Sequence, residues 1–193
     1  RDHPQHQRKI LEYRAAHAGV SRYVKFRAIY RDILKQPLSA HEEERLGSAF
    51  RQLIADKMIA CPLVPGVQAF LAAASRQFKC FIASGSPEEE LHPLIDHRGL
   101  RGYFKGIYGS PKSKGEILRM ILQQHSLASS EVLCIGDALS DLGAAQAERI
   151  PFAGRIGAEG ADIFPLGTTV TLFRDFDELE RRWDSLLTRL ATA

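Results

Sequence analysis

Three times after Pro62, this chain runs a short apolar stretch straight into a helix start, and that repetition limits what it can fold into. Phe78 to Ala83 reads as a buried strand and leads into Ser84-Gly85-Ser86-Pro87-Glu88-Glu89. A second strand exit, Gly109-Ser110-Pro111-Lys112-Ser113-Lys114, leads into Gly115-Glu116-Ile117-Leu118. The third run, Val132 to Ile135, ends in Gly136-Asp137-Ala138-Leu139-Ser140-Asp141. Apolar strands that alternate with helices are the pattern of a parallel sheet covered on both faces. This alternation starts at Pro62. Residues 1–60 instead show helical spacing: Ile10, Leu11 and Ala15, then Tyr23, Phe26, Tyr30 and Ile33, then Leu46, Phe50, Leu53, Ile54 and Met58. Ser39 and Glu42 have the spacing of a capping box at the start of the last of these helices. Pro62, Pro65 and Gly66 read as a hinge between the two parts.

Open parallel sheets place their ligands at the carboxyl ends of the strands, so the residues there carry the functional reading. Asp137 and Asp141 put two carboxylates at one strand end, with Gly136 easing the turn before them. Mg²⁺ takes hard oxygen ligands, commonly one or two carboxylates plus a substrate phosphate, so the pair points to phosphate chemistry. Gly-Asp after a strand is also an ordinary turn and helix cap, and that reading stays open. At the first strand end, Ser86, Pro87 and Glu89 predict a capped helix start. The Ser84 hydroxyl, the Gly85 N–H and the helix dipole there could bind a phosphoryl group; a plain capped connection fits the same residues. Ser113 and Glu116 predict a second capping box, which puts Lys114 in a first helical turn. A cation there works against the dipole, at a cost of about a few tenths of a kcal/mol, unless an anion partners it. Lys114 therefore calls for a phosphate or a carboxylate.

In order and spacing, Ser84, Lys114 and Asp137 with Asp141 resemble the second, third and fourth motifs of the haloacid dehalogenase-like hydrolases. The details Lys114-Gly-Glu-Ile-Leu and Gly-Asp-x-x-x-Asp are similar to the phosphatase branches of that superfamily with a small helical cap. The resemblance implies an α/β, Rossmann-like three-layer core with a parallel sheet over residues 61–193 and a small all-helical cap domain over 1–60. It implies phosphate binding by Ser84, Gly85 and Lys114, a catalytic role for Lys114 beside the nucleophile, and Mg²⁺ on Asp137 and Asp141. Gly19-Val20-Ser21-Arg22 resembles the cap of the sugar-phosphate mutases, where the matching arginine contacts a distal phosphate. Arg22 takes that role by resemblance, and Lys25, one turn on, shares its face; a solvated helix face is the alternative.

The family's first motif, Asp-x-Asp-Gly-Thr on the first strand, supplies the attacking aspartate and a general acid and base. No such motif occurs in the sequence from Arg1. Asp175-Phe176-Asp177 has no Gly-Thr after it and continues into Leu179, Trp183, Leu186, Leu187 and Leu190, so it reads as the cap of the last helix. A parallel sheet lacking its central strand would bury unpaired backbone groups at about 1 to 3 kcal/mol each. The expectation is that the motif lies upstream of Arg1; a pseudo-enzyme, or a strand supplied by a separate peptide, are the alternatives.

The expected function is Mg²⁺-dependent hydrolysis of a small phosphate monoester through an aspartyl phosphate. A sugar-phosphate mutase on the same scaffold and a non-catalytic phosphate-binding or regulatory protein are the rivals; a dehalogenase would have no use for Mg²⁺ ligands. The partner expected is a small phosphorylated metabolite. A net charge of +3, dispersed along the chain, argues against nucleic acid but does not repel anions. No apolar run approaches the roughly 20 residues of a membrane helix. Cys61, Cys80 and Cys134 are odd in number, and two lie in strand contexts, which fits reduced thiols in a cytoplasmic monomer or homodimer better than a disulfide framework. The histidines show no metal-ligand spacing, so zinc is not expected.

Overall fold

The computed structural model describes residues 4–157 and 163–191. As the spacing predicts, the first part builds only helices. After a short turn at Pro4–His6 come α1 (Gln7–Ala16), α2 (Arg22–Ala28), which widens into a π-helix over Ile29–Leu34, and α3 (Ala40–Ala60). The Ser39 hydroxyl accepts from the Glu42 N–H at 3.2 Å, but only half of the expected capping box forms. The Glu42 carboxylate turns instead to Arg45 and Tyr30.

The second part is α/β, with α4 (Val67–Gln77), β1 (Cys80–Pro87), α5 (Glu88–His97), β2 (Phe104–Ser110), α6 (Lys114–His125), β3 (Cys134–Gly136), α7 (Leu139–Ala147), β4 (Phe152–Arg155), β5 (Thr171–Phe173), α8 (Phe176–Arg181) and α9 (Trp183–Ala191). All strand pairings are parallel. Among the described residues they fall into two sheets, β1-β2 and β3-β4-β5. Helices hold the two sheets together. On one face, Leu118 of α6 packs with Leu142, Ala145, Ile150, Phe152 and Phe164. Ile117, Leu118 and Ile121 are the buried positions of α6, and His125 at its end lies against Phe81 of β1, so one helix serves both sheets. On the other face, Phe70 and Ala74 of α4 join Ala153, Phe173, Leu179 and Leu186, and this cluster takes in Cys80 from β1 and Ile135 from β3. Phe152 and its neighbour Ala153 enter opposite clusters, as the two-residue period of a strand requires. The layering is therefore helix, sheet, helix.

Two local expectations change. The strand predicted from Phe78 begins at Cys80 and runs on to Pro87, so Ser86 lies in extended chain and caps nothing. Its own N–H goes to the Ser84 hydroxyl at 3.1 Å. Three glutamates then fill the first turn of α5, where the dipole favours them. The residues read as a hinge are docked: Pro65 accepts from the Phe176 N–H at 2.9 Å, and Gly66 has φ +76° at a point where a Cβ would strike the Asp177 backbone. Asp175 caps α8 through the Glu178 N–H at 2.8 Å, as its sequence context predicts.

Leu186 is fully buried in the α4 face cluster, whereas Leu166 is 98% exposed. Leu186→Ala should cost about 2 to 5 kcal/mol in a urea melt, and Leu166→Ala less than about 0.5 kcal/mol.

Candidate functional site

The carboxyl ends of β1, β2 and β3 bring Ser84, Gly85, Lys114 and Asp141 to one side of the molecule. Lys114 opens α6. Its place is fixed by the complete capping box expected from the sequence: Ser113 Oγ accepts from the Glu116 N–H at 3.2 Å, and the Glu116 carboxylate accepts from the Ser113 N–H at 2.7 Å. The Lys114 ammonium finds the carboxylate it calls for. Nζ lies 2.5 Å from Asp141 Oδ1, with side-chain exposures of 13% and 12%. It also donates to Ser140 Oγ at 3.3 Å. The other Asp141 oxygen accepts from the Ala138 N–H at 3.1 Å, so this carboxylate caps α7 and neutralises Lys114 together.

Asp137 stands apart from that pair. It is 65% exposed, and Arg155 Nη1 lies 3.7 Å from its carboxylate. Among the described residues, no group of three or more histidine, cysteine or acidic side chains is gathered for a metal. The donors nevertheless fit Mg²⁺ in kind. Asp137 offers hard oxygens facing water at a strand end, and this ion keeps several waters when protein-bound. Asp141 is already shared between Lys114 and a backbone amide.

A segment of the helical part reaches into the site. Ser140 Oγ donates to the Ala18 carbonyl at 3.1 Å. A Cβ on Gly19 would come within 2.9 Å of Lys114 Nζ, and one on Gly85 would strike the Gly19 carbonyl. Glycine at both positions permits this approach. The Ala18–Ser21 segment thus lies over Lys114 and Gly85 and links the first strand end to the others. Arg22, which follows it, is 6% exposed; its guanidinium donates twice to the Glu90 carboxylate, at 3.0 and 2.6 Å. Lys25 is half-buried, and burial followed by the Arg14 and Arg22 charges lowers its pKa. Arg22 and Lys25 do share a neighbourhood, but Arg22 already has a partner.

Sequence reasoning passed over Ser140, Glu90 and Arg155. Ser140 stood within the quoted Asp137–Asp141 run, and Glu90 sat in a run of three acids whose first-turn position accounted for it. No local signal marked Arg155.

A family model for haloacid dehalogenase-like hydrolases matches residues 2–148, and the chain belongs to that family. Among solved structures it is similar to a hydrolase from Pseudomonas syringae (17% identity, TM-score 0.73, covering 91% of this chain and 83% of that one). It is also similar to a β-phosphoglucomutase from Clostridium difficile (17%, 0.70, 95% and 90%). A third likeness is to a predicted phosphoglycolate phosphatase from Haemophilus somnus (15%, 0.67, 88% and 80%). At these identities the likeness is one of fold. No curated protein matches the chain.

Two outcomes follow. Asp141→Asn strips a nearly buried lysine of its counter-charge and should destabilise the fold by about 3 to 5 kcal/mol in a denaturant melt at neutral pH. Burial, with the Asp141 charge adding to it, pushes the Cys134 thiol up to about 12. An unfolded thiol loses its proton near about 8.5, so the stability that comes from keeping Cys134 protonated is full below that pH and is lost as pH rises toward 12. Iodoacetamide at pH 8 should alkylate the exposed Cys61 and spare Cys134 until denaturant is added, as read by peptide mass.

Proposed function

We propose that this chain handles the phosphoryl group in Mg²⁺-dependent hydrolysis of a small phosphate monoester. The observation that carries this reading is the convergence of the Lys114 ammonium with Gly85 beneath the same Gly19 backbone, at the carboxyl ends of parallel strands, where a cation in the first turn of a helix is held ready for an anion. Lys114 would leave Asp141 in part and neutralise oxygens of the transferring group, where charge is greatest. The Ser84 hydroxyl and the Gly85 N–H would fix the same group from the β1 side. Asp137, with Asp141 behind it, would hold Mg²⁺, which when bound supplies further charge neutralisation. The reaction is the family's phosphoryl transfer to an aspartate and then to water. The substrate is a small phosphorylated metabolite.

A sugar-phosphate mutase is the second reading. It is favoured by the Ala18–Ser21 segment lying over the site, since a mutase must keep water away from its intermediate.

The test is phosphate release by the natural protein from a panel of phosphate monoesters and sugar phosphates, with Mg²⁺ and with chelator. Release is expected only with Mg²⁺. Lys114→Ala should lower kcat by about 10²- to 10³-fold with a smaller change in KM, and Asp137→Asn should remove most of the Mg²⁺-dependent turnover. Unchanged kcat in Lys114→Ala, or full turnover in chelator, would remove this assignment. An isomerised sugar phosphate without net phosphate release would identify the mutase.

A further inference from the structure

The helical part and the α/β part meet along α5, which is clamped at both ends. At the C-terminal end, the Arg98 guanidinium donates to the carbonyls of Met58, Ile59 and Cys61 at 2.5, 3.1 and 2.5 Å, fastening the last turn of α3. At the N-terminal end, Glu90 takes the two Arg22 bonds and lies 3.3 Å from Arg51 Nε. The Arg22 guanidinium also stacks over Phe50 of α3, 4.7 Å from the ring centroid.

The two clamps differ in what a motion would do to them. Arg98 grips residues next to the covalent connection at Pro62–Gly66, so it can act as a pivot. Glu90 grips Arg22, the residue immediately after the Ala18–Ser21 segment that covers Lys114 and Gly85. A swing about the Arg98 end would break the Glu90 end first.

We propose that Glu90 is a positioning residue: its ion pairs with Arg22 and Arg51 latch the Ala18–Ser21 segment shut over the phosphate site. The proposal rests on reading Ser84, Gly85 and Lys114 as that site. The physical ground is the burial of Arg22. A guanidinium this deeply enclosed depends on its counter-charge, and removing one partner of a buried pair leaves the other strongly destabilised. Lys25, which feels the Arg22 charge, and Arg51, which shares Glu90 with it, are both cations and offer Arg22 no replacement for Glu90. Without Glu90 the Arg22 side chain would move toward water and draw Ser21 and the segment before it off the site. Arg51, 44% exposed, acts from the rim of the same carboxylate and contributes less.

Hydrogen exchange on the full chain tests this. The amides of Ala18, Val20 and Lys25 bond to the carbonyls of Ala15, His17 and Ser21 and report on the segment; that of Ile117, bonded to Ser113, reports on α6. In Glu90→Gln, the first three should exchange about tenfold faster or more, matching the loss of roughly 1.4 kcal/mol, with Ile117 unchanged. Arg51→Gln should act in the same direction by about two- to fivefold. Unchanged exchange at 18–25 in Glu90→Gln overturns the latch. If Glu90→Gln speeds α6 equally, the fold itself has loosened, and Arg51→Gln decides: faster exchange confined to 18–25 supports the latch, and none overturns it. Phosphate release is measured separately. Selective opening in a protein that hydrolyses no phosphate ester keeps the latch and removes the phosphatase reading, whereas an active enzyme whose exchange ignores both variants removes the latch alone.

Discussion

The contact between Lys114 and Asp141 sets the arrangement of the site. The two residues stand in the first turns of α6 and α7, whose N-termini both carry partial positive charge. Asp141 suits that field and Lys114 opposes it, so the lysine is tolerated because the aspartate is beside it. The pair in turn fixes one helix start against the other. Asp141 spends its second oxygen on the Ala138 N–H, which ties the β3–α7 turn into the same contact. Since α6 packs against both sheets, fixing its N-terminus also fixes where the ends of β1 and β3 stand relative to each other.

The packing around the strands works with that contact. β1 and β3 share no pairing among the described residues. Side chains above and below bind the two strand sets together: Leu118 and its neighbours on one face, Phe70 with Phe173 and Leu186 on the other. Side-chain packing is non-directional and tolerates small slides that a ladder of backbone hydrogen bonds forbids. Polar contacts at the strand ends add directional restraint: Lys114 with Asp141, Ser140 with Ala18, and Glu88 with the Gly109 N–H at 3.0 Å.

Much of this was legible in the sequence because it is local. The helix-only first part, the parallel strands and the Ser113–Glu116 box depend on spacing within one element, and spacing is what periodicity and capping rules read. Lys114 needing an anion was also a local inference, from a cation placed in a first turn. What the sequence could not disclose was pairing across the chain. The Arg22–Glu90 bond spans 68 residues, and nothing at either end distinguishes it from a solvated charge. The Ser86 box failed for a similar reason: the Ser84 hydroxyl and the pairing of β1 with β2 extended the strand through Ser86, outweighing a plausible cap. The closeness of Gly19 to Gly85 was invisible because a glycine states what it permits and not what approaches it.

Two cations near the site, Lys114 and Arg22, are thus already satisfied by carboxylates of the chain, Asp141 and Glu90. This shapes what the site can attract. A ligand carboxylate would exchange one monoanion for another and gain little, since the displaced aspartate or glutamate loses what the newcomer acquires. A phosphate ester, with more charge and three acceptor oxygens, can engage the cation and the strand-end donors at once without fully expelling the resident carboxylate. On the proposed reading, this internal pairing would act as a threshold, lowering affinity for weak anions and leaving a net gain for groups of higher charge density. On that reading the discrimination comes from competition between two anions for one cation, with the strand-end donors adding to the phosphate side.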